Sequence, residues 1–181
     1  LNHLLEDKEE FSKVLIFVAT KVNADRLFEI LNFQSELSVI HSRKEQNYRT
    51  KSIEKFEDGT SRILIATDVI SRGIDLEKVS TVISFDTPFY PENYIHRIGR
   101  TGRAEQQGKA ILFYNEKEIA LKDSIESLMN YTIPLNEFPE GVVVASQLTP
   151  EEKKKPVDPD ELYYEKSASE VRVGVSFQEK S

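Results

Sequence analysis

The chain contains no cysteine, no tryptophan and a single methionine. Without cysteine there are no disulfides, no thiolate metal ligands and no cysteine nucleophile, which fits a reducing compartment such as the cytoplasm. The three histidines, His3, His41 and His96, lack metal-ligand spacing, so no metal site is expected on this chain. No apolar run approaches the roughly 18–20 residues that a membrane span needs, and no membrane partner is expected. The stretch from Leu1 to Glu10 is too acidic for a secretory start. No Gly-x-x-x-x-Gly-Lys-Ser/Thr string occurs: Ala110 follows Gly108-Lys109, and Arg103 stands where the first glycine belongs. A basic excess is missing as well. With a formal net charge of −7, any nucleic-acid contact must come from a local patch on an acidic body.

What is present is enough for one ordinary domain and a tail, in 181 residues that open without methionine and are expected to be part of a longer protein. Val14-Leu15-Ile16-Phe17-Val18 is a continuous apolar run, as in a strand buried on both faces. Similar short runs lie at 38–40, 62–66, 81–85 and 110–114. Between them apolar residues recur at helical spacing: Ala24, Leu27, Phe28 and Leu31 behind an expected Asn23 cap, and Leu121, Ile125 and Leu128 behind Asn115 and Glu118. Strands alternating with helices predict an α/β domain with a mainly parallel sheet, whose ligands bind beyond the carboxyl ends of the strands. From Thr149 the pattern decays into a Pro- and charge-rich linker, so residues 1–145 are expected to form the domain and 146–181 a linker and extension. Within that tail, 170–175 alternates like a strand that could dock on a sheet edge or on a protein partner. Its six basic and eight acidic residues from 150 onward make it no basic arm.

Three stretches carry candidate chemistry. His96-Arg97-Ile98-Gly99-Arg100-Thr101-Gly102-Arg103 packs three arginines at three-residue spacing, with glycines that should end a helix and leave Arg100 and Arg103 on a turn. Guanidinium forks at a bend suit phosphate, although a solvated cluster paired with carboxylates such as Glu105 would read the same way. In the second stretch, Ser42 to Glu45 fits a capping box, placing Gln46, Arg49, Ile53 and Phe56 on one side of a helix. Ile53 and Phe56 should lie on the sheet, and Gln46 and Arg49 should continue that stripe to its carboxyl edge. In the third, Leu64 to Asp75, Thr67 offers a hydroxyl to a phosphate oxygen. Asp68 would repel phosphate and should instead hold nearby basic side chains or loop amides. Arg72-Gly73 permits a close backbone approach, and Asp75 can accept from ribose hydroxyls or serve as a plain turn residue.

These stretches resemble the motifs of DEAD-box RNA helicases. HRIGRTGR resembles motif VI, the string from Leu64 to Asp75 motif V, Gln46-x-x-Arg49 the family's glutamine-x-x-arginine element, and Val14 to Thr20, more weakly, motif IV. Histidine rather than glutamine at the head of motif VI favours the RNA-directed group, and His41-Ser42 is similar to the bacterial RhlE-like branch. The family often has glycine-aspartate where this chain has Ser42-Arg43, which puts a backbone contact to RNA there in doubt. The Asp-Glu-Ala-Asp string is absent, as is the phosphate-binding loop, and the family carries both in a first domain.

The resemblance implies a RecA-like three-layer sandwich, a mainly parallel sheet flanked by helices, forming the second half of a two-domain, ATP-dependent motor that unwinds RNA. It implies Arg100 and Arg103 as arginine fingers on ATP, with Gly73 and Asp75 also at the nucleotide. Thr20, Arg49 and Thr67 would contact RNA, and Arg72, His96 and Arg97 would couple the domains. Mg²⁺ would be held mainly by the absent N-terminal RecA-like domain, and the fragment alone would be inactive. Two other readings stay open: half of a DNA helicase or translocase of this fold, and a non-catalytic module that binds protein through its edge or tail.

Overall fold

The computed structural model describes residues 1–68, 79–101, 108–137, 139, 142 and 172–177. Among them the strands are β1 (Val14–Val18), β2 (Leu37–Ile40), β3 (Ile63–Thr67), β4 (Thr81–Ser84), β5 (Lys109–Tyr114), β6 (Leu135–Asn136) and β7 (Arg172–Phe177). The helices are α1 (Asn2–Leu5), α2 (Lys21–Ile30), α3 (Gln46–Glu57), α4 (Pro91–Ile98) and α5 (Ile119–Met129). The sheet order is β2-β3-β1-β4-β5-β7-β6, with β1 to β5 parallel and β7 antiparallel to both its neighbours.

The apolar runs become strands because both of their faces are covered. On one face Val14, Ile16 and Val18 join Ile63, Ile65 and Ile83 beneath α1 and α2. On the other, Leu15, Phe17, Leu64 and Ala66 meet Phe56 of α3, while Leu112 meets Tyr94 of α4 and Ile125 of α5. Each such buried side chain contributes roughly 1.5–3 kcal/mol, so these two rows hold the sandwich together. At the amino-terminal edge the Arg62 guanidinium donates to the Phe11 and Leu5 carbonyls, both at 2.8 Å, and pairs with Glu36.

Three local expectations change. Helix α2 is capped by Thr20, whose hydroxyl accepts from the Asn23 N–H at 3.0 Å, so the helix starts one turn before the expected Asn23 cap. The Ser42–Glu45 capping box does not form: α3 begins at Gln46, and Glu45 at the cap position makes no side-chain cap bond. The intervening residues form a turn instead, the Lys44 N–H donating to the His41 carbonyl at 3.0 Å. In α5 Leu128 is exposed and Met129 packs inward, since the buried stripe steps by four from Ile125. The Asn115–Glu118 arrangement does form: Glu118 accepts from the Asn115 N–H at 2.8 Å and Asn115 Oδ1 from the Lys117 N–H at 2.9 Å.

The alternating tail segment is a strand and pairs inside this sheet. Residues 172–177 run antiparallel to 114–109 of β5 and separate β5 from β6. No helix among the described residues is long and apolar enough to cross a membrane.

Candidate functional site

At the carboxyl edge of the sheet, the ends of β1, β3 and β4 are joined by one buried arginine. Arg97 lies on α4, and its side chain is 2% exposed. Its Nε and Nη2 donate to the two carboxylate oxygens of Asp68 at 2.7 and 2.8 Å, a bidentate pair just past β3. Nη1 donates to the Asp86 carbonyl at 2.7 Å, just past β4, and the guanidinium lies over the Phe17 ring of β1 at 5.2 Å. The Asp86 carboxylate in turn accepts from the Ala19 N–H, just past β1, at 2.7 Å. Planar charge-assisted pairs of this kind fix geometry as well as adding energy. Asp68 thus holds a basic side chain, as expected. Arg97 was expected to couple this domain to its neighbour, yet its N–H groups are directed at Asp68 and Asp86 of its own domain.

Around this knot stand the candidate phosphate contacts. Thr20, as the cap of α2, places a hydroxyl and a helix start at the end of β1. Thr67 closes β3 and is 8% exposed. Helix α3 starts a short turn beyond the end of β2, so Gln46 and Arg49 in its first turn stand at the same edge. Arg49 Nη2 donates to Gln46 Oε1, while Arg49 Nε is buried with no hydrogen-bond partner among the described residues. Phe56 is fully buried and Ile53 partly so, as the helical stripe required.

Arg100 occupies a different place. Helix α4 ends at Ile98, and Gly99 keeps a right-handed conformation with φ −64°. The stop is therefore a tightened last turn, with the Arg100 N–H on the Arg97 carbonyl and the Thr101 N–H on Ile98, both at 3.1 Å. The Thr101 hydroxyl then donates to the Val79 carbonyl at 2.7 Å, and the two residues form a parallel bridge. Val79 precedes β4, so the backbone at Thr101, directly after Arg100, is set beside the amino-terminal end of that strand. His96 is exposed near the end of α4. Arg72, Gly73, Asp75 and Arg103 lie outside the described residues.

One cluster carried no functional expectation. His41, at the end of β2 and 1% exposed, has its Nε2 2.9 Å from Asp25 Oδ1, and Lys44 Nζ lies 2.8 Å from the same oxygen. Burial pushes the Asp25 carboxyl up, but hydrogen bonds from Lys44 and His41 outweigh it and hold Asp25 below the usual carboxylate range. No local pattern marks Asp25, because its histidine partner is 16 positions away. Among the described residues no group of three or more His, Asp or Glu side chains is gathered as metal ligands.

A five-stranded parallel sheet with helices on both faces is the architecture of a RecA-like helicase lobe. Residues 1–105 match the family described as the helicase conserved C-terminal domain, and the chain belongs to that family, on its DEAD-box branch. The ATP-dependent RNA helicase DeaD of Buchnera aphidicola is 42% identical over 128 residues, covering 70% of this chain and 21% of that protein. A DEAD box protein from Methanococcus jannaschii superposes with TM-score 0.65 at 41% identity, over 72% of this chain and 36% of that one. Mss116p helicase domain 2, solved bound to an RNA duplex, gives TM-score 0.64 at 31% identity, over 72% of this chain and 54% of that one. The matched parts amount to 21% and 30% of the length of the first two curated relatives.

Proposed function

We propose that this chain is the second RecA-like lobe of an ATP-driven clamp that unwinds RNA duplexes in the cytoplasm. The observation that carries the RNA half of this reading is the grouping of Arg49, partly exposed in the first turn of α3, with the Thr20 cap of α2 and Thr67 at the end of β3 along one edge of the sheet. Arg49, Thr67 and Thr20 would hold successive phosphates, and such contacts position the strand without reading its sequence. Mss116p domain 2, similar over most of this chain, was solved with an RNA duplex on it.

The nucleotide half rests on the arginine turn. Guanidinium groups fit the triphosphate, and Arg100 and Arg103 would stabilise charge on the transferring phosphoryl group, an effect of roughly 10³–10⁵ in rate in such reactions. Gly73 and Asp75 would meet the nucleotide, with Arg72 and His96 at the boundary between the domains. Mg²⁺ would be held mainly by the first RecA-like domain. The knot around Arg97 would carry lobe closure to the RNA.

The test is reconstitution. The chain alone should hydrolyse no ATP, and adding the matching first domain should restore turnover stimulated by RNA more than by DNA. In that mixture Arg103→Ala should abolish turnover without lowering the melting temperature; full turnover in the variant would remove the arginine-finger role.

A further inference from the structure

We propose that His41, Asp25 and Lys44 form a positioning clamp that locks the two phosphate-binding helix starts, Thr20 on α2 and Gln46–Arg49 on α3, to one another. The inference rests on the reading of the rim as an RNA-backbone site. The His41 ring is used at both nitrogens: the Arg43 N–H donates to Nδ1 at 3.2 Å, so the ring proton resides on Nε2 and is donated to Asp25 at 2.9 Å. The same turn is closed through its backbone, with the Lys44 N–H on the His41 carbonyl, and Lys44 Nζ reaches Asp25 at 2.8 Å. Asp25 lies in the second turn of α2, which Thr20 caps, while α3 starts directly after the turn that contains Lys44. Two helices arriving from different strands are therefore pinned at the ends that face the rim. Neither His41 nor Asp25 needs to touch RNA for this; they act through Arg49 and Thr20.

The charge on Asp25 gives the proposal a sign. Removing a negative charge beside a phosphate site would by itself tighten RNA binding. A clamp predicts the reverse. With the 181-residue chain and a fluorescein-labelled RNA duplex, Asp25→Asn is expected to weaken binding by about threefold to tenfold, the range of moderate coupling between neighbouring groups. In an Arg49→Ala background the same substitution should lose part of that effect, because one of the two positioned groups is gone. His41→Asn, which keeps an acceptor near the Arg43 N–H but cannot reach Asp25, should weaken binding like Asp25→Asn. His41→Gln, whose amide can reach Asp25, should weaken it less, whereas a residue that only fills space would treat the two alike. Tighter or unchanged binding for Asp25→Asn, or an equal loss in both backgrounds, would overturn the clamp. An Arg49→Ala chain that binds as well as the parent would overturn the rim reading itself, and the clamp with it.

Discussion

Arg97 and Arg49 stand at the same edge of one sheet and do opposite things. Arg97 is buried with its fork on Asp68 and on the Asp86 carbonyl, and it lies on the Phe17 ring. Arg49 is partly exposed, is held by Gln46 through one nitrogen, and keeps a buried Nε without a partner among the described residues. A guanidinium matched on its own domain contributes shape; one that stays partly exposed at the rim can offer its outer N–H groups to a ligand. The residue type is therefore no guide to role in this family of arginines. The acceptors around each one are.

The largest effect should come from breaking the matched arginine. Arg97→Ala removes the buried charge paired with Asp68 and its hydrogen bond to the Asp86 carbonyl, and should cost about 3–5 kcal/mol in urea unfolding. Arg97→Lys should recover only part of this, since an ammonium cannot span both Asp68 oxygens and the carbonyl. A loss for Arg97→Ala below about 1 kcal/mol would erase the distinction between the two arginines. Next comes the cap that sets the rim beside β1: Thr20→Ala should destabilise by about 1 kcal/mol. Asn23→Ala, which spares the backbone N–H that Thr20 accepts, should cost less in the same melts.

The smallest effect concerns acid. The Asp25 carboxyl is held low by Lys44 and His41 against burial, and that of Glu36 by Lys8 and then Arg62. A carboxylate with a depressed folded value adds stability above its ordinary range and loses it as pH falls through that folded value. The melting temperature should therefore drop below about pH 4. Asp25→Asn and Glu36→Gln should each flatten that drop. An identical pH profile in the double variant would show that these pairs do not matter to folding.

The strands were legible because a five-residue apolar run such as Val14–Val18 has one stable use in an α/β domain, burial on both faces. Helix starts were less so. Thr20 and Asn23 are both good caps, and only the strand end decides which one the chain reaches first. Ser42 and Glu45 have capping-box spacing, but the buried His41 draws the following backbone into a turn. At the site, Asp68 could be read as a holder of basic groups because phosphate would repel it. That the held group is Arg97 could not, since the two are 29 positions apart and three neighbouring arginines competed for the role. The tail strand alternated visibly, yet its partner β5 is set by tertiary packing and not by pattern.

The central claim is that the carboxyl rim holds an RNA backbone through Arg49. Measuring the affinity of the chain for an RNA duplex across a series of salt concentrations, for the parent and for Arg49→Ala, tests it directly. The account predicts weaker binding for the variant at every sequence tried, with the slope of log affinity against log salt reduced by about one and folding unchanged. Equal affinity with an equal slope would contradict it.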